Sequence, residues 1–291
     1  MTEYQASRTA VVVCQGRAVA DGRIVPGRFS DPTAMLLLRT DEQDVVELVR
    51  SGTPPDGMAP RLAYEMARAA AEAVVPRTVA IDDAVRAHPT PQLVILGAGL
   101  DGRAWRLPAP AVFEVDQPAS QADKRDRAKA LPADQAPHYV PVDFGHDDLG
   151  AALRAAGHDA TVPTTWIWEG VVPYLTPAEV TATAAAVAAC SAPGSRLIVN
   201  YQAPSVLAHL GRRLMGLLLR AARQTSPWTR EPWRSTWTAA SMAALLTGHG
   251  FAVDQDQDLL TVATDLGMTV SQGASLRTGR VVSGGRARPA P

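Results

Sequence analysis

Two rhythms divide the chain. From Ser7 to Ala87 the apolar positions recur mostly at helical spacing: TAMLLL, then DVVELVRSG closed by a TPPDG turn, then RLAYEMARAAAEAVV, rich in Ala, Leu, Glu and Arg. No pair of strands is evident there. Beyond it, short apolar runs alternate with longer helical or loop stretches: LVIL at 93–96, VFEV at 112–115, YVPV at 139–142, TTWIW at 164–168 and RLIVN at 196–200. Five strands separated by about 20 to 30 residues require crossovers, and right-handed crossovers build the parallel, doubly wound α/β sheet.

The pattern predicts a helical cap over residues 1–87, one α/β domain over 88–280 and a flexible tail over 281–291, where SGGRARPAP has the composition of a disordered end. SMAALLTGHGF reads as a helix ending at Gly248 or Gly250 and feeding a strand at FAVDQ. The stretch 201–237, rich in Leu, Arg and Trp, is expected to be a helical insertion above the sheet. Its Trp228, Trp233 and Trp237 fit a substrate lid and the apolar face of an extra helix equally well.

Charge and composition narrow the partners. The 291 residues carry 28 basic and 29 acidic side chains, so no net field favours nucleic acid or an anionic membrane. The most apolar long run, LAHLGRRLMGLLLRAA, is interrupted by Arg212 and Arg213, which argues against a membrane span. The start, MTEYQ, is acidic where a signal peptide is basic, and the two cysteines, Cys14 and Cys190, form neither a disulfide framework nor a zinc spacing. A cytoplasmic protein with a small-molecule or peptide partner is expected. His138, His146 and His158 lie in connecting segments without ligand spacing, so no metal is expected and solvated loop histidines are.

The most informative stretch is VILGAGLDGRAWRL. Its GAGLDG core satisfies G-x-G-x-x-G directly after a strand, where glycines let the backbone approach a cofactor. Asp116, at the end of VFEVD, lies where a carboxylate accepts hydrogen bonds from ribose hydroxyls. Both NAD and S-adenosylmethionine meet those two requirements. Asp101 favours the second: a dinucleotide sets its pyrophosphate against this turn, where a carboxylate repels it, whereas S-adenosylmethionine carries a sulfonium and an ammonium instead. A plain tight turn with Asp101 capping the next helix is the bland alternative.

VILGAGLDGRAWRL, FEVDQPASQADKR, VPVDF and TTWIWEGVVPYLTP, in this order, resemble the leucine carboxyl methyltransferase family and its bacterial relatives. The resemblance extends back through VPRTVAIDDAV and, more weakly, RFSDP and SRTA. It implies a Rossmann-like class I methyltransferase sheet with S-adenosyl-L-methionine as cofactor. It implies that Gly97, with Gly99 and Asp101 in the same turn, lines the cofactor, that Asp116 binds its ribose, and that Asp143 and Phe144 cradle the adenine. Arg77 would hold the methionine carboxylate, with Arg8 as a second basic residue, and Glu169 stands at the end of the fourth strand. Arg77 could otherwise be a helix-end cation, and Asp143 a helix cap. Glu169 follows a largely apolar run, where an unpaired carboxylate is costly and a ligand amine would be a partner.

Gly102 departs from the bacterial relatives, which usually carry threonine there. Near the sulfonium, WEGVVPYLTP offers only Glu169 and Tyr174 as polar candidates for catalysis, and no histidine. An already ionised acceptor, a carboxylate on a small metabolite or peptide terminus, is therefore the expected substrate. Arg212, Arg213, Arg220, Arg223, Arg230 and Arg234 are expected to clamp it.

Overall fold

The helical rhythm becomes α1 (Arg8–Ala20), α2 (Thr33–Leu36), α3 (Thr40–Ser51) and α4 (Met58–Ala87) in a computed structural model that describes residues 7–109, 111–144, 146–205 and 233–287. Buried Cys14, Ala18, Leu37, Val46, Ala71 and Val75 join these helices into one apolar cluster, and Leu100 enters it from the glycine turn. The expected cap is thus packed onto the turn. Pro76 sits inside α4, where proline ordinarily interrupts a helix, yet Val74, Val75 and Val79 around it are all buried.

The apolar runs become β1 (Gln92–Leu96), β2 (Ala111–Asp116), β3 (His138–Pro141), β4 (Thr164–Trp168) and β5 (Arg196–Gln202). They alternate with α5 (Pro118–Arg127), α6 (Leu149–Ala155) and α7 (Pro177–Ala189). After the insertion come α8 (Ala239–Gly248), β6 (Phe251–Asp258), α9 (Leu259–Asp265), α10 (Gly273–Thr278) and β7 (Gly279–Arg286). The sheet order is β3-β2-β1-β4-β5-β7-β6, parallel except for β7, which runs antiparallel to both neighbours. The order reverses between β1 and β4, the switch point at which open α/β sheets bind ligands beyond their strand ends.

Alternation along the strands sorts the core. Val94, Leu96, Phe113, Val115, Trp166, Trp168 and Val199 face one layer, with α6, α7 and α8 over it. Leu93, Ile95, Ile167 and Ile198 face the other, where Ile81 and Val85 of α4 pack. Side-chain caps set several helix starts: Thr176 with Glu179 at α7, Thr238 at α8 and Asp258 at α9. Each such cap contributes roughly 1 kcal/mol.

Two sequence expectations change. The tail expected to be flexible is strand as far as Arg286, paired on both sides between β5 and β6. Its glycines serve close approach rather than disorder: a Cβ on Gly284 would meet the carbonyl oxygen of Ala252 at 3.0 Å. His158, expected in a solvated loop, is buried, shares a hydrogen bond with Thr164 Oγ1 and packs edge-on against Phe113. Most of the insertion expected over 201–237, including Trp228 and every arginine assigned to it except Arg234, lies outside the described residues.

A chain ending at Thr278 loses β7 and leaves β6 without its neighbour. We expect it to lose the cooperative thermal transition and native circular dichroism; a folded monomer of unchanged melting temperature would contradict the central placement of β7.

Candidate functional site

The glycine turn leaves β1 at the switch point. Gly97 has φ +66°, and a Cβ there would lie 2.2 Å from Val171 Cγ2, so both backbone conformation and space require glycine. Its amide donates to the Val115 carbonyl at 2.7 Å. Asp116, at the end of β2, accepts from the Gly99 amide at 2.6 Å and from the Gln117 amide at 2.7 Å. Burial pushes the Asp116 carboxyl up, and those two N–H groups act against it.

No α-helix follows this turn. A 3-10 turn, Arg103–Trp105, is succeeded by an irregular connection into β2, and α4 occupies the layer over β1 instead. Asp101 therefore caps no helix; its Oδ1 accepts from the Arg103 amide at 2.7 Å. The consequence is chemical. A pyrophosphate normally rests on a helix N-terminus at this position, and neither that dipole nor its free amides are present.

Beyond the strand ends lies a cavity of about 470 Å³, within the range of small-molecule sites. Arg77, Gly97, Gly99, Asp101, Asp116, Asp143, Phe144, Glu169 and Tyr174 all line it. Arg8 does not: it is exposed at the start of α1, whose cavity face is Thr9, Ala10, Val13 and Arg17. Helical spacing gives that position to Arg17, which carries no local signal within VVVCQGRAVA. Asp143 is exposed at the rim, and its amide donates to Asp147 Oδ2 at 2.8 Å.

The floor of the cavity is ionic. Glu169 is not an unpaired carboxylate awaiting an amine: Oε1 lies 2.6 Å from Arg77 Nε and Oε2 lies 2.7 Å from Arg103 Nη1. Arg77 is interior to α4, so no helix-end role applies. Arg103 also pairs with Asp101 Oδ2 at 2.5 Å and, through Nε, with Asp82 Oδ1 at 2.7 Å. Arg106 bonds the other oxygen of Asp82. Arg17 meets Asp31 Oδ2 at 2.9 Å and donates to the Leu100 carbonyl at 2.5 Å. Although burial raises the Glu169 carboxyl, the guanidinium groups of Arg103 and Arg77 hold it down to about 2. Asp101 is likewise held well below the usual carboxylate range, burial being outweighed by Arg103 and Arg17.

Gly102 acquires a reason in this setting. A Cβ there would lie 1.8 Å from Thr33 Oγ1 and 3.1 Å from Asp31 Oδ1. The space is taken by the Thr33 hydroxyl, which donates to Asp31 Oδ1 at 2.6 Å.

Among the described residues no group of three or more His, Cys, Asp or Glu side chains could hold a metal ion, and no helix is long and apolar enough to cross a membrane. The donor set suits S-adenosylmethionine. It combines a strand-end carboxylate for a ribose, a glycine cradle that a Cβ would fill, and a guanidinium beside a carboxylate for an amino-acid moiety.

Two outcomes follow from these contacts. Gly102→Thr should destabilise by about 1–3 kcal/mol through overpacking, and Thr33→Ala in the same chain should recover most of the loss; denaturant melts check both. Glu169 has a carboxyl lowered from 4.5 to about 2, so its contribution is fully present above pH 4.5 and is lost as the pH falls toward 2. Melting temperature measured across that window should fall more steeply for the natural chain than for Glu169→Gln.

The model of the leucine carboxyl methyltransferase family matches residues 10–188, more than half of the chain. A protein of Mycolicibacterium gilvum (strain PYR-GCK), named "Putative S-adenosyl-L-methionine-dependent methyltransferase", is 40% identical over 201 residues, 66% of this chain and 65% of its own length. One of the same name from Mycobacteroides abscessus is 36% identical over 232 residues, 74% of each chain. The chain thus spans about two thirds to three quarters of these relatives. In shape it is similar to a solved "putative methyltransferase" of Thermobifida fusca YX, with TM-score 0.55 and 15% identity over 99% of this chain and 97% of that one. It is also similar to magnesium protoporphyrin IX methyltransferase of Synechocystis PCC 6803 solved with bound SAH, with TM-score 0.51 and 14% identity over 85% and 95%. With the class I methyltransferase sheet in place and the family model spanning the cap, the glycine turn and β4, the chain belongs to the leucine carboxyl methyltransferase family.

Proposed function

We propose that the protein transfers the methyl group of S-adenosylmethionine to a carboxylate oxygen of a small metabolite or peptide, giving a methyl ester. One observation carries the methyl-donor reading: the cavity joins Asp116 to the Arg77–Glu169 pair across a glycine turn that no α-helix follows. Bound there, S-adenosylmethionine supplies an electrophilic methyl on a sulfonium, so that an O–CH3 bond forms as the S–CH3 bond breaks. Asp116 would accept from the ribose hydroxyls, Asp143 and Phe144 would flank the adenine, and Arg77 with Glu169 would hold the amino-acid end.

The carboxylate acceptor is supported by what faces the rest of the cavity. Val171 and Leu175 form an apolar wall beside Tyr174, and among the described residues none that lines the cavity is histidine. Glu179, the next carboxylate outward, accepts from the Thr176 amide at 2.7 Å and lies 3.1 Å from Arg234 Nη1. Glu169 is bound by two arginines, so it is a poor base for an alcohol or phenol. An acceptor that is already ionised needs no base, only alignment, which contributes up to roughly 7–11 kcal/mol when reacting atoms are held close. Arg234, at the rim, is the described arginine suited to an incoming anion. The balanced charge favours a small molecule over nucleic acid, and the two buried, free cysteines suit a cytoplasmic setting.

S-adenosylhomocysteine should raise the melting temperature by mass action while NADH should not; a larger shift with NADH would sink the reading. Incubation of a cell extract with labelled S-adenosylmethionine should give a product that releases volatile methanol in mild alkali. Label retained through that treatment would refute the ester and leave methyl transfer standing.

A further inference from the structure

Behind the glycine turn, outside the cavity lining, lies a second buried pair. Lys124 of α5 and Glu114 of β2 are both 1% exposed, and Lys124 Nζ lies 2.5 Å from Glu114 Oε2. The same ammonium donates to the main-chain carbonyl of Asp101 at 2.7 Å. Apart from Lys124, neither Glu114 oxygen has a hydrogen-bond partner among the described residues. Burial pushes the Glu114 carboxyl up to about 7, with Lys124 pulling it down.

What this ammonium joins is specific. Glu114 precedes Asp116 by two positions in the same strand, so the two carboxylates share a face of the sheet. Asp101 closes the glycine turn: its amide donates to the Ala98 carbonyl at 2.8 Å, and its side chain pairs with Arg103, which in turn holds Glu169. Lys124 therefore ties the strand of Asp116 to Asp101, whose side chain shares Arg103 with Glu169. A buried ion pair contributes little net stability over an apolar pair of similar volume, so folding alone gives it no need.

We propose that Lys124, braced by Glu114, is a positioning residue for the cofactor: by holding the Asp101 carbonyl it sets the Gly97–Asp101 turn where Asp116 and Glu169 meet one ligand. This rests on the reading of the cavity as an S-adenosylmethionine site.

The test measures S-adenosylhomocysteine affinity by titration calorimetry, in which a reduced folded fraction appears in the stoichiometry and not in Kd. Lys124→Met alone leaves Glu114 buried without its partner, so its stability should fall. The paired variant Glu114→Met with Lys124→Met replaces both charges by apolar side chains and should keep its melting temperature within a few degrees. Its Kd is expected to rise at least tenfold, because the Asp101 carbonyl has lost its donor. A paired variant that is stable and binds as tightly as the natural chain overturns the proposal. One that cannot be obtained folded assigns the pair to folding and overturns it as well. Failure of the natural chain to bind S-adenosylhomocysteine is a distinguishable result that removes the site reading and this role together.

Discussion

One buried guanidinium joins three parts of the chain at the ligand-facing end of this protein. Arg103 is 1% exposed and touches three carboxylates from three parts of the chain: Asp82 of α4, Asp101 of the glycine turn and Glu169 after β4. Removing one member of such an assembly strands the others in a medium that solvates charge poorly, at a cost of about 3–5 kcal/mol. The cap, the turn and the sheet are therefore not separately adjustable. Their relative height is set by where those three carboxylates converge.

The same constraint explains the missing helix. In the usual doubly wound plan a glycine turn feeds a helix that covers β1. Here α4, arriving before β1, covers that face with Ile81 and Val85, and it also delivers Arg77 and Asp82. A helix ahead of the first strand can contribute side chains to the cavity floor, which a helix beginning at the turn could offer only through its terminus. The site accordingly presents discrete ionic groups in place of a dipole, which suits a ligand bearing localised charges and not a pyrophosphate.

Those parts of the candidate cavity that are local are legible in the sequence. A strand, a glycine turn and a carboxylate at the next strand's end are visible within some twenty residues, and the cavity includes Gly97, Asp101 and Asp116 together with Arg77, Glu169 and Tyr174. Arg17 and Arg103 were not legible because their partners come from elsewhere: Asp31 and the Leu100 carbonyl for the first, Asp82 and Glu169 for the second. An arginine in an apolar helix looks like a surface residue until the facing acids are known, whereas Arg8 carries a short motif and lies exposed outside the cavity. β7 is illegible in the sequence for a similar reason. SGGR has turn composition, and only pairing to β5 and β6 makes it a strand.

The balance of the ionic floor bears on how a ligand enters. Arg17, Arg77, Arg103 and Arg106 face Asp31, Asp82, Asp101 and Glu169, four charges of each sign. On the proposed reading, an amino-acid moiety brings a carboxylate to Arg77 and an ammonium to Glu169, so the pair exchanges partners and the net buried charge is unchanged. On that reading Arg103, 2.7 Å from Glu169, would hold the carboxylate in place and ionised while Arg77 turned to the ligand. Binding then requires one ion pair to reorganise in place, with no new uncompensated charge buried, and that is why a floor crowded with charge is compatible with a zwitterionic ligand above it.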